Sequence, residues 1–207
     1  MSRYLGPKCR LCRKERTKLF LRGERCNSLK CPLEKKGAVP PGEHHVKTKA
    51  KISGYKEQLR EKQKTRNIYG VSERQMKNYF LKAKKEKSGT GKALLRLMES
   101  RLDNAVFRLG FAPSRATARQ IISHRHVLVN GRKVNISSFK VRTGDVITFS
   151  SKLGEIPQIK QMQAQKDFKP PSWLERKGGA GKVLSLPSDE DLPNEINDQL
   201  IIEFYSR

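Results

Sequence analysis

The sequence contains no long hydrophobic run. A helix needs about 20 consecutive apolar residues to cross a bilayer, and no stretch of the 207 residues approaches that length. Residues 1–8 lack the apolar core of a signal peptide, and they carry no lipidation signal. We therefore expect a protein of the cytoplasm, not an integral membrane protein or a secreted one.

Acidic and apolar residues are both scarce. The chain has 20 Asp and Glu against 45 Lys and Arg, for a formal net charge of +25, and 35% of its residues are hydrophobic. That apolar content suffices for small cores but not for one large core. The charge favours a polyanionic partner, with nucleic acid before anionic membrane. Residues 1–90 carry a net +18 and residues 91–152 a net +9, whereas residues 153–207 carry −2.

Cysteine is sparse, and all four cysteines lie near the N-terminus. Two residues separate Cys9 from Cys12, and four separate Cys26 from Cys31. Two close pairs across a short loop can bring four thiolates around one tetrahedral ion, and zinc suits such ligands. Because four protein ligands leave no open position for chemistry, we expect a structural zinc ion. Four reduced cysteines without a metal are the alternative.

Residue patterns predict helices followed by a small β region. Residues 55–87 read as mostly helix, and Ser72 to Gln75 have the spacing of a capping box. An apolar stripe at helical spacing predicts one further helix, through Leu94, Met98, Leu102, Ala105 and Leu109. Ser114 is the expected cap of another helix. Residues 127–136 read as a hairpin with an Asn130-Gly131 turn, and residues 146–149 as a strand. Trp173 is expected to anchor the C-terminal segment to the body.

Two segments resemble catalytic motifs, but neither fits the pattern that catalysis requires. Glu86 and Ala93 stand where a Walker A loop around Gly89-Thr90-Gly91-Lys92 would need glycine and Ser or Thr. The triplet Arg101-Leu102-Asp103 also occurs in pseudouridine synthases, but the chain is too short for their catalytic domain. We expect Asp103 to lie at the surface or in an ion pair, and we expect no enzyme.

Basic residues accumulate after residue 100. Arg115 and Arg119 lie one turn apart on the predicted helix, and Arg101 and Arg108 are expected to share a face of the preceding one. The region also contains Arg125, Arg132 and Lys133. No acidic residue lies between positions 108 and 140. We therefore predict a continuous phosphate-binding surface, because the planar fork of arginine binds phosphate bidentately and stacks on bases.

Several segments of this region resemble the alpha-L RNA-binding motif of ribosomal protein S4, pseudouridine synthases and tyrosyl-tRNA synthetases. They are Arg101-Leu102-Asp103-Asn104, Leu109-Gly110-Phe111, Ser114-Arg115, Ala118-Arg119-Gln120, His124-Arg125-His126 and Val129-Asn130-Gly131. The cysteine set and residues 3–7, 59–64, 68–75 and 202–207 resemble ribosomal protein S4 in particular. Over nearly its whole length the sequence is similar to the bacterial small-subunit ribosomal protein S4 family, in its zinc-bearing form with four cysteines.

The resemblance implies an α+β fold with a helical body, an alpha-L RNA-binding domain of two helices and a small antiparallel sheet, and a zinc-bound N-terminal arm. The expected domains are residues 1–45 for the arm, residues 46–91 completed by residues 170–207 for the body, and residues 92–160 for the RNA-binding domain. It also implies a primary binder of small-subunit ribosomal RNA that nucleates assembly of the body of the subunit. Such a protein lines the path by which messenger RNA enters, beside ribosomal proteins S5 and S3, and contributes to translational accuracy.

The resemblance also identifies site residues. The expected zinc ligands are Cys9, Cys12, Cys26 and Cys31. The expected RNA-binding residues are Arg3, Tyr4, Arg10, Lys14, Arg60, Lys62, Arg66, Arg101, Arg108, Arg115, Arg119, Arg125, Arg132 and Lys133. Two positions depart from the family pattern: Arg125 stands where many relatives have glycine, and Glu43-His44-His45 replaces the usual Gln-His-Gly. The alternatives are an RNA-modifying enzyme or RNA-binding regulator that uses the alpha-L module, and a zinc-containing DNA regulator.

Overall fold

The computed structural model describes residues 4–42, 53–86, 89–150, 162 and 168–207. The chain divides into two compact units, a helical unit of residues 1–91 and 194–207 and a mixed unit of residues 92–193. The departure Glu43-His44-His45 and the predicted RNA contact Arg3 lie outside the described residues. Among the helices of the described residues, none has the length and apolar content that a membrane span requires.

The helical unit is built from short helices with clear end signals. Its helices are α1 (Lys8–Glu15), α2 (Glu24–Asn27), α3 (Pro32–Lys36), α4 (Gly54–Tyr69), α5 (Glu73–Ala83) and α9 (Asp198–Tyr205). The predicted capping box is confirmed, because the Ser72 hydroxyl accepts from the Gln75 amide and the Gln75 side chain accepts from the Ser72 amide, both at 3.3 Å. Gly70, with a φ of 61°, ends α4 in a left-handed conformation.

Lys62 ties three helices of this unit together. Its Nζ lies 2.9 Å from Glu73 Oε1 and 4.3 Å from the centre of the Phe204 ring, and the side chain is 6% exposed. Tyr205 donates to the same Glu73 oxygen at 2.9 Å and stacks on Phe80 at 4.8 Å. The contact of Lys62 with RNA stays a prediction; in this structure its ammonium joins α4, α5 and α9.

This cluster makes the stability of the helical unit depend on pH. Burial raises the pKa of Glu73, but the hydrogen bonds from Lys62 and Tyr205 outweigh it and bring the pKa below its usual 4.5. A carboxylate whose pKa is lower in the folded state stabilises above its unfolded pKa, and that stability is lost as pH falls through the folded one. We expect the protection of the α9 amides, measured against the intrinsic exchange rate at each pH, to fall below about pH 4.5. Glu73→Gln should weaken this acid dependence in hydrogen exchange; an unchanged dependence contradicts the role of Glu73.

The mixed unit places helices against an antiparallel sheet. Its elements are α6 (Thr90–Glu99), which begins just before the unit, α7 (Leu102–Arg108), α8 (Arg115–Ser123), β1 (Val127–Val129), β2 (Arg132–Val134), β3 (Val146–Phe149), β4 (Leu174–Lys177) and β5 (Ala180–Val183). The strand order is β2-β1-β3-β5-β4, with each pair antiparallel. The predicted hairpin is confirmed: Asn130 and Gly131 form its two-residue turn, with φ values of 50° and 77°.

The C-terminal segment differs from the prediction. Residues 170–207 were expected to complete the helical body, but β4 and β5 belong to the sheet of the mixed unit, and only residues 194–207 belong to the helical unit. Trp173, expected to anchor this segment to the body, is fully buried in the core of the mixed unit. That core also contains Leu102, Leu109 and Ile147. The physical reason is strand pairing: β5 pairs with β3 and β4 pairs with β5, so backbone hydrogen bonds hold residues 174–183 in the sheet.

The predicted single helix through Leu94 and Leu109 is wrong, because α6 ends at Glu99 and α7 starts at Leu102. Between them Arg101 is extended and forms an isolated β-bridge with Lys140. The amide of Leu102 donates to the Phe139 carbonyl at 2.8 Å, and the Val141 amide donates to the Ser100 carbonyl at 2.9 Å. These bonds to residues 139–141 replace the helical ones at the break.

Candidate nucleic-acid interface

Two buried carboxylates lie where α6 passes into α7. The side chain of Glu99 is fully buried and that of Asp103 is 2% exposed. Asp103 accepts from Arg101 Nε at 2.9 Å and Nη2 at 2.6 Å, and from Arg119 Nη2 at 2.7 Å. Of the two expectations for Asp103, a surface position or an ion pair, the structure shows the ion pair. A carboxylate this deep is stable because two guanidinium groups compensate its charge.

Glu99 collects a second set of arginines. Arg108 donates to it with Nη2 at 3.0 Å and with Nε at 3.1 Å, and the side-chain Nδ2 of Asn104 donates to it at 2.7 Å. Arg115 Nη2 lies 4.0 Å from Glu99, and Arg115 Nε donates to Asn104 Oδ1 at 2.7 Å. Its guanidinium carbon is 4.6 Å from the centre of the Phe107 ring. Each arginine is therefore fixed by hydrogen bonds.

Arg108, Arg115 and Arg119 form what we call the arginine cluster. Their side chains remain 27%, 13% and 17% exposed. With Arg101, four guanidinium groups face two carboxylates, so the region stays positive at the surface. Arg101 differs from the others because its side chain is 2% exposed. In this structure Arg101 anchors Asp103 from within the domain, and its contact with RNA stays a prediction.

The same hydrogen bonds bear on the triplet Arg101-Leu102-Asp103. In an enzyme that used Asp103 for catalysis, its carboxylate would have to reach a substrate. Here both oxygens accept hydrogen bonds from arginines, and the residue is 1% exposed. The triplet therefore serves packing and ion pairing in this domain.

The turn after α8 and the hairpin carry exposed basic residues. Arg125, Arg132 and Lys133 are all exposed. Arg132 and Lys133 lie on β2, which is an edge strand of the sheet. The rings of His124 and His126 flank Arg125 and lie 6.3 Å apart. These basic side chains extend the predicted surface of the mixed unit beyond the arginine cluster.

Arg125 occupies a backbone position that favours glycine. Its φ is 61°, its amide donates to the Ile122 carbonyl, and the next amide, of His126, donates to the Ile121 carbonyl. This is the Schellman ending of a helix, in which the left-handed residue is usually glycine. Gly70 and Gly110 hold the same position at the ends of α4 and α7. The left-handed turn is therefore present in spite of the arginine.

Replacing Arg125 by glycine is expected to stabilise the mixed unit by roughly 1 kcal/mol, because a side chain in the left-handed region costs about that much. Urea unfolding followed by Trp173 fluorescence measures the change. Arg125→Ala is the matched control, since it removes the same charge but keeps the Cβ atom. If Arg125→Gly is no more stable than Arg125→Ala, the backbone at this position is not strained.

In the helical unit the predicted RNA contacts fall into two groups. Arg10, Lys14 and Tyr4 are exposed. Arg60 is partly exposed, donates to the Lys14 carbonyl at 2.8 Å and lies 3.6 Å from the buried Glu15. Arg66 is partly exposed and lies 3.7 Å from Glu73. The exposed residues on α1 thus remain the stronger candidates for phosphate contact here.

Sequence reasoning missed the structural role of Arg13. Its Nε donates to the Val39 carbonyl at 2.9 Å and its Nη2 to the Pro40 carbonyl at 3.1 Å. These bonds hold the proline-containing segment against α1. The signal was the pair of prolines, whose fixed backbone presents consecutive carbonyls to one donor.

The four cysteines line one small pocket between α1, α2 and α3. Cys12, Cys26 and Cys31 are buried, Cys9 is half-buried, and all four are free thiols. The Arg22 amide donates to Cys26 Sγ at 3.3 Å. Burial raises the pKa of the Cys12 thiol, and the other three cysteines act in the same direction.

The cysteine pocket fits a soft metal by its chemistry, since four thiols converge and none is in a disulfide. In the part of the chain that the structure describes, however, no group of three or more His, Cys, Asp or Glu side chains is arranged to hold a metal ion. The residues present can supply a complete ligand set, but their side chains would have to turn toward a common centre.

The mixed unit combines two basic helices, a basic hairpin and arginines fixed by buried acids, which is the arrangement of a nucleic-acid-binding domain. Comparison with known families agrees. Residues 3–99 match the Ribosomal protein S4/S9 N-terminal domain, and residues 100–147 match the S4 domain. The chain belongs to the ribosomal protein S4 family.

Curated relatives cover the whole chain. It is 51% identical to the small ribosomal subunit protein uS4 of Thermus thermophilus, 50% identical to uS4A of Symbiobacterium thermophilum and 47% identical to uS4 of Natranaerobius thermophilus. Each match spans the full length of both proteins. These matches confirm the family that the sequence motifs indicated. They do not test whether the protein is the zinc-bearing form.

Proposed function

We propose that this protein is a structural constituent of the small ribosomal subunit that binds the ribosomal RNA of that subunit directly. The full-length identity of about half the residues to proteins named uS4 carries this proposal. The arginine cluster gives it a physical basis, because arginines held by buried carboxylates present fixed donors to phosphates. The protein is not an enzyme, and it acts in the ribosomes of the cytoplasm.

The finer proposal is that this protein binds early and helps to fold the body of the subunit. Exposed basic residues in each of the two units support it, since a protein with two RNA-binding surfaces can hold separate RNA helices. They include Arg10 and Lys14 in one unit and Arg132 and Lys133 in the other. In this proposal its neighbours are ribosomal proteins S5 and S3 and the messenger RNA that enters beside them, and it contributes to accurate translation.

Structural zinc belongs to the same proposal, with Cys9, Cys12, Cys26 and Cys31 as ligands. It is supported by their convergence on one pocket and by the burial of three of them. Each sulfur moves by rotation about a single side-chain bond, so binding of the ion would require new rotamers of these cysteines. Bound to four thiolates, the ion would crosslink three short helices and perform no chemistry.

Sedimentation tests the ribosomal role. The protein, tagged and expressed in its own cells, should co-sediment with small subunits in a sucrose gradient and resist moderate salt. Treatment of the extract with ribonuclease should move it to the top of the gradient. A protein that stays at the top before ribonuclease treatment, while other small-subunit proteins sediment, would refute the ribosomal assignment.

A further inference from the structure

We propose that Glu99 and Asp103 are positioning residues for RNA binding, so that removing either negative charge weakens the binding of a polyanion. The inference rests on the proposed RNA-binding function and deepens it. The two carboxylates contact no phosphate themselves. They hold the arginine cluster in the orientation in which its guanidinium groups meet the RNA backbone.

Geometry supports a division of labour between the two acids. Asp103 holds Arg119 from α8, and Glu99 holds Arg108 from α7 through two hydrogen bonds. Glu99 also reaches Arg115 through Asn104, which accepts from Arg115 Nε at 2.7 Å. Every member of the cluster is thus linked to a carboxylate that lies in the interior of the domain.

The carboxylates are themselves held firmly. The Asp103 amide donates to the Ser137 carbonyl at 3.2 Å, and Arg101 grips the Asp103 side chain bidentately from the buried side. The Glu99 carboxylate accepts a hydrogen bond from the side-chain Nδ2 of Asn104 in addition to those from Arg108. Both acids therefore sit on backbone that is fixed by the helix break and by residues 137–141, which is what a positioning group requires.

Simple electrostatics predicts the opposite of this proposal. Loss of a carboxylate makes the chain more positive, and long-range attraction to RNA should rise. However, a mobile arginine side chain loses rotamer entropy when it is fixed by a ligand. In this domain the arginine side chains of the cluster lose that entropy when the protein folds, so little more is lost when they bind phosphate. The sign of the effect therefore distinguishes positioning from net charge.

The test compares Glu99→Gln and Asp103→Asn with Glu190→Gln in the full-length protein. Glu190 is an exposed acid of the same unit, so its variant removes the same charge without touching the cluster. Binding to small-subunit ribosomal RNA is measured across a potassium chloride series. We expect each cluster variant to bind about tenfold more weakly with a shallower salt dependence, and Glu190→Gln to bind as tightly as wild type or tighter.

The proposal is overturned if the cluster variants, while folded, bind as tightly as Glu190→Gln. Circular dichroism monitors folding. If Asp103→Asn does not fold, Asp103→Glu keeps the charge and displaces it by one methylene, and it should still weaken binding. Wild-type protein that shows no salt-dependent binding would instead refute the proposed function itself.

A double-mutant cycle separates positioning from general loss of structure. In an Arg119→Ala background, Asp103→Asn should cost less than about twofold in affinity, because its partner at the surface is already absent. Costs that add fully in the double variant would show that Asp103 acts through the fold alone, and would overturn its positioning role.

Discussion

Replacing both Arg115 and Arg119 by alanine is expected to lower the affinity for small-subunit ribosomal RNA by roughly 100-fold. Each substitution removes a charge-assisted hydrogen bond from the arginine to an RNA phosphate. Such a bond contributes about 1.5 kcal/mol, which is about a tenfold change in affinity. The slope of log affinity against log salt should also fall, by about 0.7 to 0.9 for each phosphate that the variant no longer neutralises. Filter binding or anisotropy over a salt series measures both quantities.

The fold should survive this double change because each buried carboxylate keeps a partner. Asp103 retains its two bonds from Arg101, and Glu99 retains Arg108 and Asn104. Weaker RNA binding would then reflect the surface and not an unfolded domain.

A matched control is the pair Lys177→Ala and Lys182→Ala, which removes the same two charges from exposed positions on β4 and β5. These strands lie at the end of the sheet opposite β2. The control pair should weaken binding much less than the arginine pair. Equal effects from both pairs would mean that net charge, and not the arginine cluster, determines the affinity.

The predictions that succeeded rest on local signals. Ser72 and Gln75 satisfy each other's backbone within one turn of helix, and Asn130-Gly131 adopts the left-handed angles that a two-residue hairpin needs. Such features depend on a few neighbouring residues, so the sequence alone can show them. The alpha-L motif combined these signals with the arginines of α8, which is why the RNA-binding domain was recognised.

The predictions that failed concern interactions between distant residues. An apolar stripe continued through position 101, because α6 and α7 both face apolar surroundings, and nothing local revealed the bridge from Arg101 to Lys140. The acid-free stretch after position 108 suggested arginines that face only solvent or RNA. Their acidic partners lie just upstream, at Glu99 and Asp103, and only the fold brings them together.

One missed element did have a local signal. The sequence patterns predict no strand over residues 174–183, but Lys177 pairs with Ala180 across the two-residue loop Gly178-Gly179. Two glycines between short strands are a hairpin signal. The flanking segments of β4 and β5 are too short and too polar to reveal their strand character without the partner β3.

Removing zinc is expected to unfold the N-terminal arm while the RNA-binding domain stays folded. Among described residues 4–42, the buried apolar side chains are Leu19 and the three cysteines Cys12, Cys26 and Cys31. Helices α1, α2 and α3 have 8, 4 and 5 residues, and helices shorter than about 12 residues are marginal alone. A structural zinc ion can supply on the order of 10 kcal/mol of folding free energy, which such a small core cannot replace.

Hydrogen exchange with and without a chelator measures this effect. Amides of residues 8–36 should lose protection when zinc is removed, whereas those of residues 102–149 should keep it, because the latter belong to a separate core around Leu102, Leu109 and Trp173. Cys31→Ser should reproduce the change and reduce the bound zinc from one per chain, while the neighbouring exposed substitution Lys30→Ser should do neither. Purified protein without zinc, or an arm that keeps its protection after chelation, would contradict the structural metal. Loss of protection throughout the chain would contradict the independence of the two units. All four cysteines precede residue 32, so the sheet of the mixed unit and its core contain no thiol that could bind or lose zinc.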